Sequence, residues 1–365
     1  MLKIKIFGAA NCGNVGDDLI AYVLENYLAK HINAKDIQVS FIAQQQQFAE
    51  IPDTDILIIG GGGLIYDYDI NNVINYCKTI KFAHDYRVPV FFMGMGVQHV
   101  FSDEAKEMYR DALQYVKAIA VRGEEDARYI REELGYSGDL LITSRDLVFL
   151  YDDINQPGNP PRARGGLEKP VLALSLADWR LGVNYNNIQG DLADEYTAYR
   201  QYINNALPKL TNVFDVKIVC QASEDQAICR ELADSINGKV IEFSSIEASP
   251  GIIELYRNVD YVITNRYHGL IAAIIADTPV IATSFSTHKS ERLIKDSFAS
   301  LREQSYSIKE FVSEDIFHKM CDPNFRTGLQ PASRREYRKC LKLARQHKEI
   351  VNIINNEISK MGNRR

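Results

Sequence analysis

The chain has 365 residues, of which 46% are hydrophobic and 25% charged; this is an ordinary globular composition, long enough for two domains. Its net charge of −6 supplies no electrostatic footprint for nucleic acid, and no apolar run is long enough to span a bilayer. Six cysteines show neither CxxC nor zinc spacing, the pattern of reduced thiols in a cytoplasmic protein.

In chain order, Leu2 to Phe7 alternates as a strand with interleaved lysines, unlike a signal peptide. A glycine-bearing loop, Gly8 to Gly16, leads into a helix predicted from Asp17. That loop lacks the Gly-Lys-Ser/Thr of a phosphate-binding loop. The carboxylates of Asp17 and Asp18 already suit the helix dipole, so the loop reads as a polar cradle for hydroxyls, with Asn14 and Asp17 facing a cleft. The bland alternative is plain N-capping by Asp17.

Strands follow at Ile37–Ile42 and at Asp55–Ile59, the latter ending in Gly60-Gly61-Gly62-Gly63. Gly62 and Gly63 would let backbone approach a ligand closely. The third position of a dinucleotide fingerprint is Ile65, which argues against a nicotinamide cofactor. A strand over Val88–Met93 ends in Gly94-Met95-Gly96, and Ser102 opens a helix. Lys117–Val121 is followed by Arg122, and Leu140–Thr143 by Asp146. Strand-end charges of a parallel sheet face its ligand crevice; an Arg122–Asp146 ion pair is the structural alternative.

Residues 155–169 carry three prolines and three glycines and read as a linker. Strand–helix alternation then restarts, with strands predicted at Val171–Leu176, Val216–Cys220, Val240–Phe243, Val259–Ile263 and Val280–Thr283. The expected domains are 1–154, 170–330 and a basic C-terminal helix within 331–365. From Pro331 onward there are ten Lys/Arg and three Asp/Glu. This helix carries an apolar stripe from Tyr337 to Ile358; its basic face is solvated or turned toward anionic lipid. The fold class is α/β: two doubly wound Rossmann-like domains facing a cleft, GT-B-like, with a C-terminal amphipathic helix.

Asp260 to Ala276 is the most informative stretch. A short strand, the turn Thr264-Asn265-Arg266-Tyr267-His268 and the apolar run Gly269–Ala276 describe a buried helix behind a strand end. Asn265 is its expected cap. Arg266, His268 and the helix N-terminus together suit an anion, and Lys289 and Arg180 sit on loops able to add positive charge. A salt-bridged arginine with a pocket-filling histidine is the structural alternative.

This ordered set resembles the polysaccharide pyruvyl transferase family: Asn14-Val15-Gly16-Asp17, Gly60–Gly63, Gly94-Met95-Gly96, Arg122, Asp146, Arg266-Tyr267-His268-Gly269 and Lys289. The resemblance implies transfer of the pyruvyl group of phosphoenolpyruvate onto two hydroxyls of a sugar. The sugar would belong to a cell-surface polysaccharide or to its free, nucleotide-linked or lipid-linked precursor. It implies Arg266 and His268 as donor-side residues, with Lys289 beside them. Many relatives carry an arginine at the end of the first strand of domain two; here Ala177 stands there, with Arg180 the nearest substitute. The expected catalytic set is His268, Arg266 and Asp17, His268 being suited to general acid work and Asp17 to accepting the hydroxyl proton. Lys289, Arg180, Arg122, Asn14, Gly62, Gly63 and Asn265 are expected to bind substrate. No metal or cofactor is expected, phosphoenolpyruvate being a co-substrate. The expected location is cytoplasmic, at the inner membrane face if the basic helix meets lipid. A GT-B nucleotide-sugar glycosyltransferase and a non-catalytic glycan-binding relative are the competing readings.

Overall fold

The computed structural model describes residues 1–98, 100–138, 140–155, 169–177, 192–284, 299–307, 310–311, 316–320 and 322–362. The chain divides into two compact units: Met1–Cys12, Asp17–Gln156 and Cys340–Arg365 form the first, and Gly13–Gly16 with Pro157–Lys339 the second. Most of the predicted 155–169 linker, and both Arg180 and Lys289, lie outside the described residues.

The first unit is built on a six-stranded parallel sheet. Its strands are β1 (Leu2–Phe7), β2 (Ile37–Phe41), β3 (Ile56–Ile65), β4 (Val90–Val97), β5 (Val116–Val121) and β6 (Leu141–Thr143). The spatial order is β2-β1-β3-β4-β5-β6. Ile56, Leu57, Ile58 and Ile59 are all fully buried, because crossover helices cover both faces of such a sheet. Each of these side chains contributes about 1.5–3 kcal/mol of hydrophobic stabilisation.

The structure departs from the sequence reading in this sheet. β3 does not end at Ile59 but continues through the glycine run, with Gly60 opposite Met93 and Gly62 opposite Met95. β4 likewise runs through Gly94 and Gly96 to Val97. A side chain on Gly60 would collide with the Met93 carbonyl, and one on Gly8 with the Gly60 carbonyl. The glycines therefore let three backbones pass at close quarters rather than break a strand.

The second unit carries β7 (Val171–Ser175), β8 (Asp215–Cys220), β9 (Val240–Glu242), β10 (Tyr261–Thr264), β11 (Val280–Ser284) and β12 (Ser305–Ser307). This sheet is also parallel, in the order β12-β11-β10-β7-β8-β9. The helix Tyr267–Ile275 is buried from Gly269 to Ile275, as its apolar sequence requires.

The predicted single C-terminal helix is two, Pro323–Ala344 and His347–Gly362. The second packs on β4 and β5 and buries His347, Ile350, Val351 and Ile354. The break falls where the Ser144 hydroxyl donates to the Leu343 carbonyl at 3.2 Å and the His347 ring meets the Arg145 carbonyl at 3.1 Å.

Candidate functional site

Doubly wound sheets bind ligands beyond the C-terminal strand ends, where the strand order reverses. In the first sheet that point lies between β1 and β3, which are neighbours. The helix after β1 starts at Val15, not Asp17. Its cap is Asn14, whose side-chain oxygen accepts from Gly16 N–H at 2.9 Å. Asn14, expected to face substrate, uses this side-chain oxygen to close the turn. Asp18 is buried and accepts from Asn11 N–H at 2.7 Å, a structural role. Asp17 is the half-buried carboxylate of the pair. One of its oxygens lies 3.5 Å from where a side chain on Gly62 would begin. Gly63 uses its carbonyl to accept from the Gln98 side chain.

Arg122, after β5, pairs with the buried Asp146 carboxylate at 2.9 Å, and its Nε donates to the Gly94 carbonyl at 3.1 Å. The ion pair considered from the sequence is thus present, and Arg122 secures β4 at Gly94. Beneath it, burial pushes the His347 imidazole down to about 4, only partly offset by the Arg145 carbonyl and Asp146.

In the second sheet the order reverses between β7 and β10, which pair directly. Asn265, after β10, does not cap the following helix. Its side-chain oxygen accepts from Ala177 N–H at 2.6 Å, so it ties the end of β10 to the end of β7. The cap residue is Arg266, and its N–H donates to Thr264 Oγ1 at 3.0 Å. The Arg266 guanidinium holds Asp225 through two nitrogens, Nε at 2.8 Å and Nη2, and reaches Glu224 at 2.9 Å. Asp225 is 1% exposed. A fork–fork pair with a buried carboxylate is strong and directional. The arginine expected to receive an anion therefore already has two carboxylates in this structure.

His268 is the second residue of the helix. It stands against Gly16: any side chain there would run into the His268 ring. Gly13–Gly16 is held in the second unit by the turn after β8, with Val15 N–H donating to the Gln221 carbonyl and Ser223 N–H to the Gly13 carbonyl, each at 2.8 Å. Gln221 is buried, and its amide donates to Ser175 Oγ at 2.6 Å. The structure thus brings together Asn14, Gly16, Asn265, Arg266 and His268.

A family model described as polysaccharide pyruvyl transferase matches residues 14–287, which spans these elements and three-quarters of the chain. The chain belongs to the polysaccharide pyruvyl transferase family. No curated protein matches it in sequence. Among solved structures it is similar to MnaA of S. aureus in complex with UDP (11% identity, 97% of each chain covered, TM-score 0.58). It is also similar to the UDP-GlcNAc 2-epimerase of Neisseria meningitidis bound to UDP-GlcNAc (12% identity, 99% of this chain and 100% of that one, TM-score 0.57). A third is the wall teichoic acid polymerase TagF (9% identity, 98% and 90% covered, TM-score 0.54). These likenesses are of fold: parallel Rossmann-like sheets with flanking helices, GT-B-like.

For a polysaccharide pyruvyl transferase, the sequence reading missed Gln221, Glu224 and Asp225. One signal was present: a polar Gln-Ala-Ser-Glu-Asp run directly after β8, at the sheet end where ligands bind. Among the described residues, no group of three or more His, Cys, Asp or Glu side chains could hold a metal ion, and no helix is long and apolar enough to cross a membrane.

Proposed function

We propose that the protein transfers the pyruvyl group of phosphoenolpyruvate to a sugar of a cell-surface polysaccharide or its precursor, releasing phosphate and forming a ketal. The observation that carries this reading is the packing of His268 against Gly16 within the second unit, which sets Asn14–Gly16 beside Arg266–Gly269, residues from two of the motifs that carry the family resemblance.

The reaction needs a proton delivered to the methylene carbon of the enol, and His268 is the group for it. One sugar hydroxyl attacks the resulting electrophilic carbon. Its proton goes to Asp17, the residue after Gly16, and a second hydroxyl replaces the departing phosphate. One hydroxyl proton ends on the new methyl group and one on phosphate, so the reaction balances without a cofactor. The N-terminus of the helix Tyr267–Ile275 favours the leaving anion, and Lys289 and Arg180 are proposed to add the cations. With its fork occupied by Asp225, Arg266 is assigned to positioning: it fixes the turn that carries Gln221 and hence Val15 and Gly16. The acceptor is free, nucleotide-linked or lipid-linked, and the enzyme works in the cytoplasm.

Phosphate release from phosphoenolpyruvate, measured against a panel of sugar acceptors, tests this. Acceptor-dependent release with a ketal product supports it. Transfer of a sugar from a nucleotide donor, with no consumption of phosphoenolpyruvate, would replace it with a glycosyltransferase.

A further inference from the structure

The first unit carries an aromatic cluster that none of the motifs above accounts for. Directly after β3, Tyr66 and Tyr68 stack face to face, with ring centroids 4.0 Å apart and planes within 6°. Between them, Asp67 accepts through one oxygen from Phe101 N–H at 2.8 Å, Ser102 N–H at 2.7 Å and Ser102 Oγ at 2.9 Å. This carboxylate fastens the loop after β3 to the loop after β4 and holds the Phe101 backbone at Asp67, the residue between the two tyrosines. Phe101 is 64% exposed, Tyr68 39% and Ile70 37%. Among the described residues these are three of the seven exposed large hydrophobics, gathered at one sheet end. Exposed apolar side chains grouped in this way offer a surface on which a ligand ring can pack.

The polar groups around it are those that recognise hydroxyls. Tyr68 OH donates to Gln98 Oε1 at 3.4 Å, a long bond that a ligand hydroxyl can improve on. Tyrosine suits such a place because it offers an apolar face and a polar tip at low entropic cost. The location adds a length. Tyr66 lies four residues beyond Gly62, at most about 13 Å along the strand, and Gly62 is the glycine beside Asp17.

We propose that Tyr66, Tyr68 and Phe101 form a subsite for a second sugar ring of the acceptor, next to the ring that reacts at Asp17. The acceptor is then a disaccharide or longer glycan rather than a single sugar. This rests on the reading of the chain as a sugar-modifying enzyme, but it makes a separate claim about acceptor length.

The test uses the full chain and methyl glycosides of hexoses, each paired with a matched disaccharide, followed by saturation-transfer NMR. In parallel, phosphate release from phosphoenolpyruvate is measured. A disaccharide should bind more tightly than its monosaccharide. Tyr68→Ala and Phe101→Ala should each weaken the disaccharide about two- to tenfold and leave the monosaccharide unchanged, while Tyr68→Trp retains disaccharide binding. Equal losses for both ligand lengths, no loss for either, or no glycoside binding by the wild type would each overturn the subsite. Aromatic-dependent disaccharide binding without any phosphate release would keep the subsite and remove the pyruvyl-transfer reading.

Discussion

The two switch points are constructed from different materials. In the first sheet, backbone does the shaping: β1, β3 and β4 approach through Gly8 and Gly60, and Asp17 is the carboxylate brought beside Gly62. In the second sheet, side chains do it: Asn265 ties β10 to β7, Arg266 grips Asp225, and Gln221 ties to Ser175. A crevice shaped by backbone leaves room for a bulky neutral ligand such as a sugar. One shaped by charge-assisted bonds fixes the orientation of a few reactive groups. On the proposed function, proton delivery by His268 falls to the second unit, and proton acceptance by Asp17 together with acceptor recognition falls to the first.

The largest expected effect tests that division. His268→Ala should lower turnover by about 100- to 10,000-fold, the range for a lost general acid, with an unchanged melting curve. Near-normal turnover in a folded variant would remove the chemistry from the second unit.

The next expectation concerns the support beneath the first sheet. His347 is fully buried, and burial holds its imidazole at about 4, below its ordinary 6.5. The unfolded chain therefore binds the extra proton between those values, and stability falls as pH drops from about 6.5 to 4. The loss should be roughly 3 kcal/mol. Urea unfolding of wild type and His347→Gln across this window should show it in the wild type alone. Identical pH slopes would mean that His347 does not underlie the acid sensitivity.

Gly60→Ala comes third. The added carbon meets the Met93 carbonyl, a backbone atom that no rotamer change moves away. Overpacking of this kind costs about 1–3 kcal/mol, read as a lowered urea midpoint. An unchanged midpoint would show that the glycine run is not needed for strand passage.

These residues also show what the sequence could and could not convey. The parallel alternation was readable because apolar runs such as Ile56–Ile59 and Val262–Ile263 are buried strands with no competing pattern. The extension of β3 through Gly60–Gly63 was not, because glycine reads as a breaker until the strand beside it is known. β12, with the sequence Ser-Tyr-Ser, carries no apolar signal and owes its place to pairing with β11. Arg266 and His268 were legible as candidates from their place at a strand end. The partner of Arg266 was not, since Asp225 lies 41 residues away and becomes adjacent only through the order of strands. Asn265 invited a capping role that local sequence alone supports, and only the pairing of β7 with β10 shows why it binds Ala177 instead.

Arg266→Lys has the smallest expected effect and divides the comparison most finely. Lysine keeps the charge but loses the planar fork. If Arg266 met only the donor anion, donor saturation would suffer and the melting curve would not move. The structure gives the guanidinium to Asp225, a buried carboxylate that also needs its hydrogen bonds satisfied. Losing one charge-assisted bond from this pair should cost about 1–2 kcal/mol of stability, at the low end for bonds to charged groups because the arginine side chain is 20% exposed and Glu224 remains within reach. For a unit of this size that is a drop of several degrees in Tm, at about 2–4 °C per kcal/mol. Turnover should fall by a few-fold through the loosened Gln221 turn, with KM for phosphoenolpyruvate nearly unchanged. A rise in that KM of tenfold or more at an unaltered Tm would return Arg266 to the donor and make the second crevice an anion pocket first and a positioning frame second.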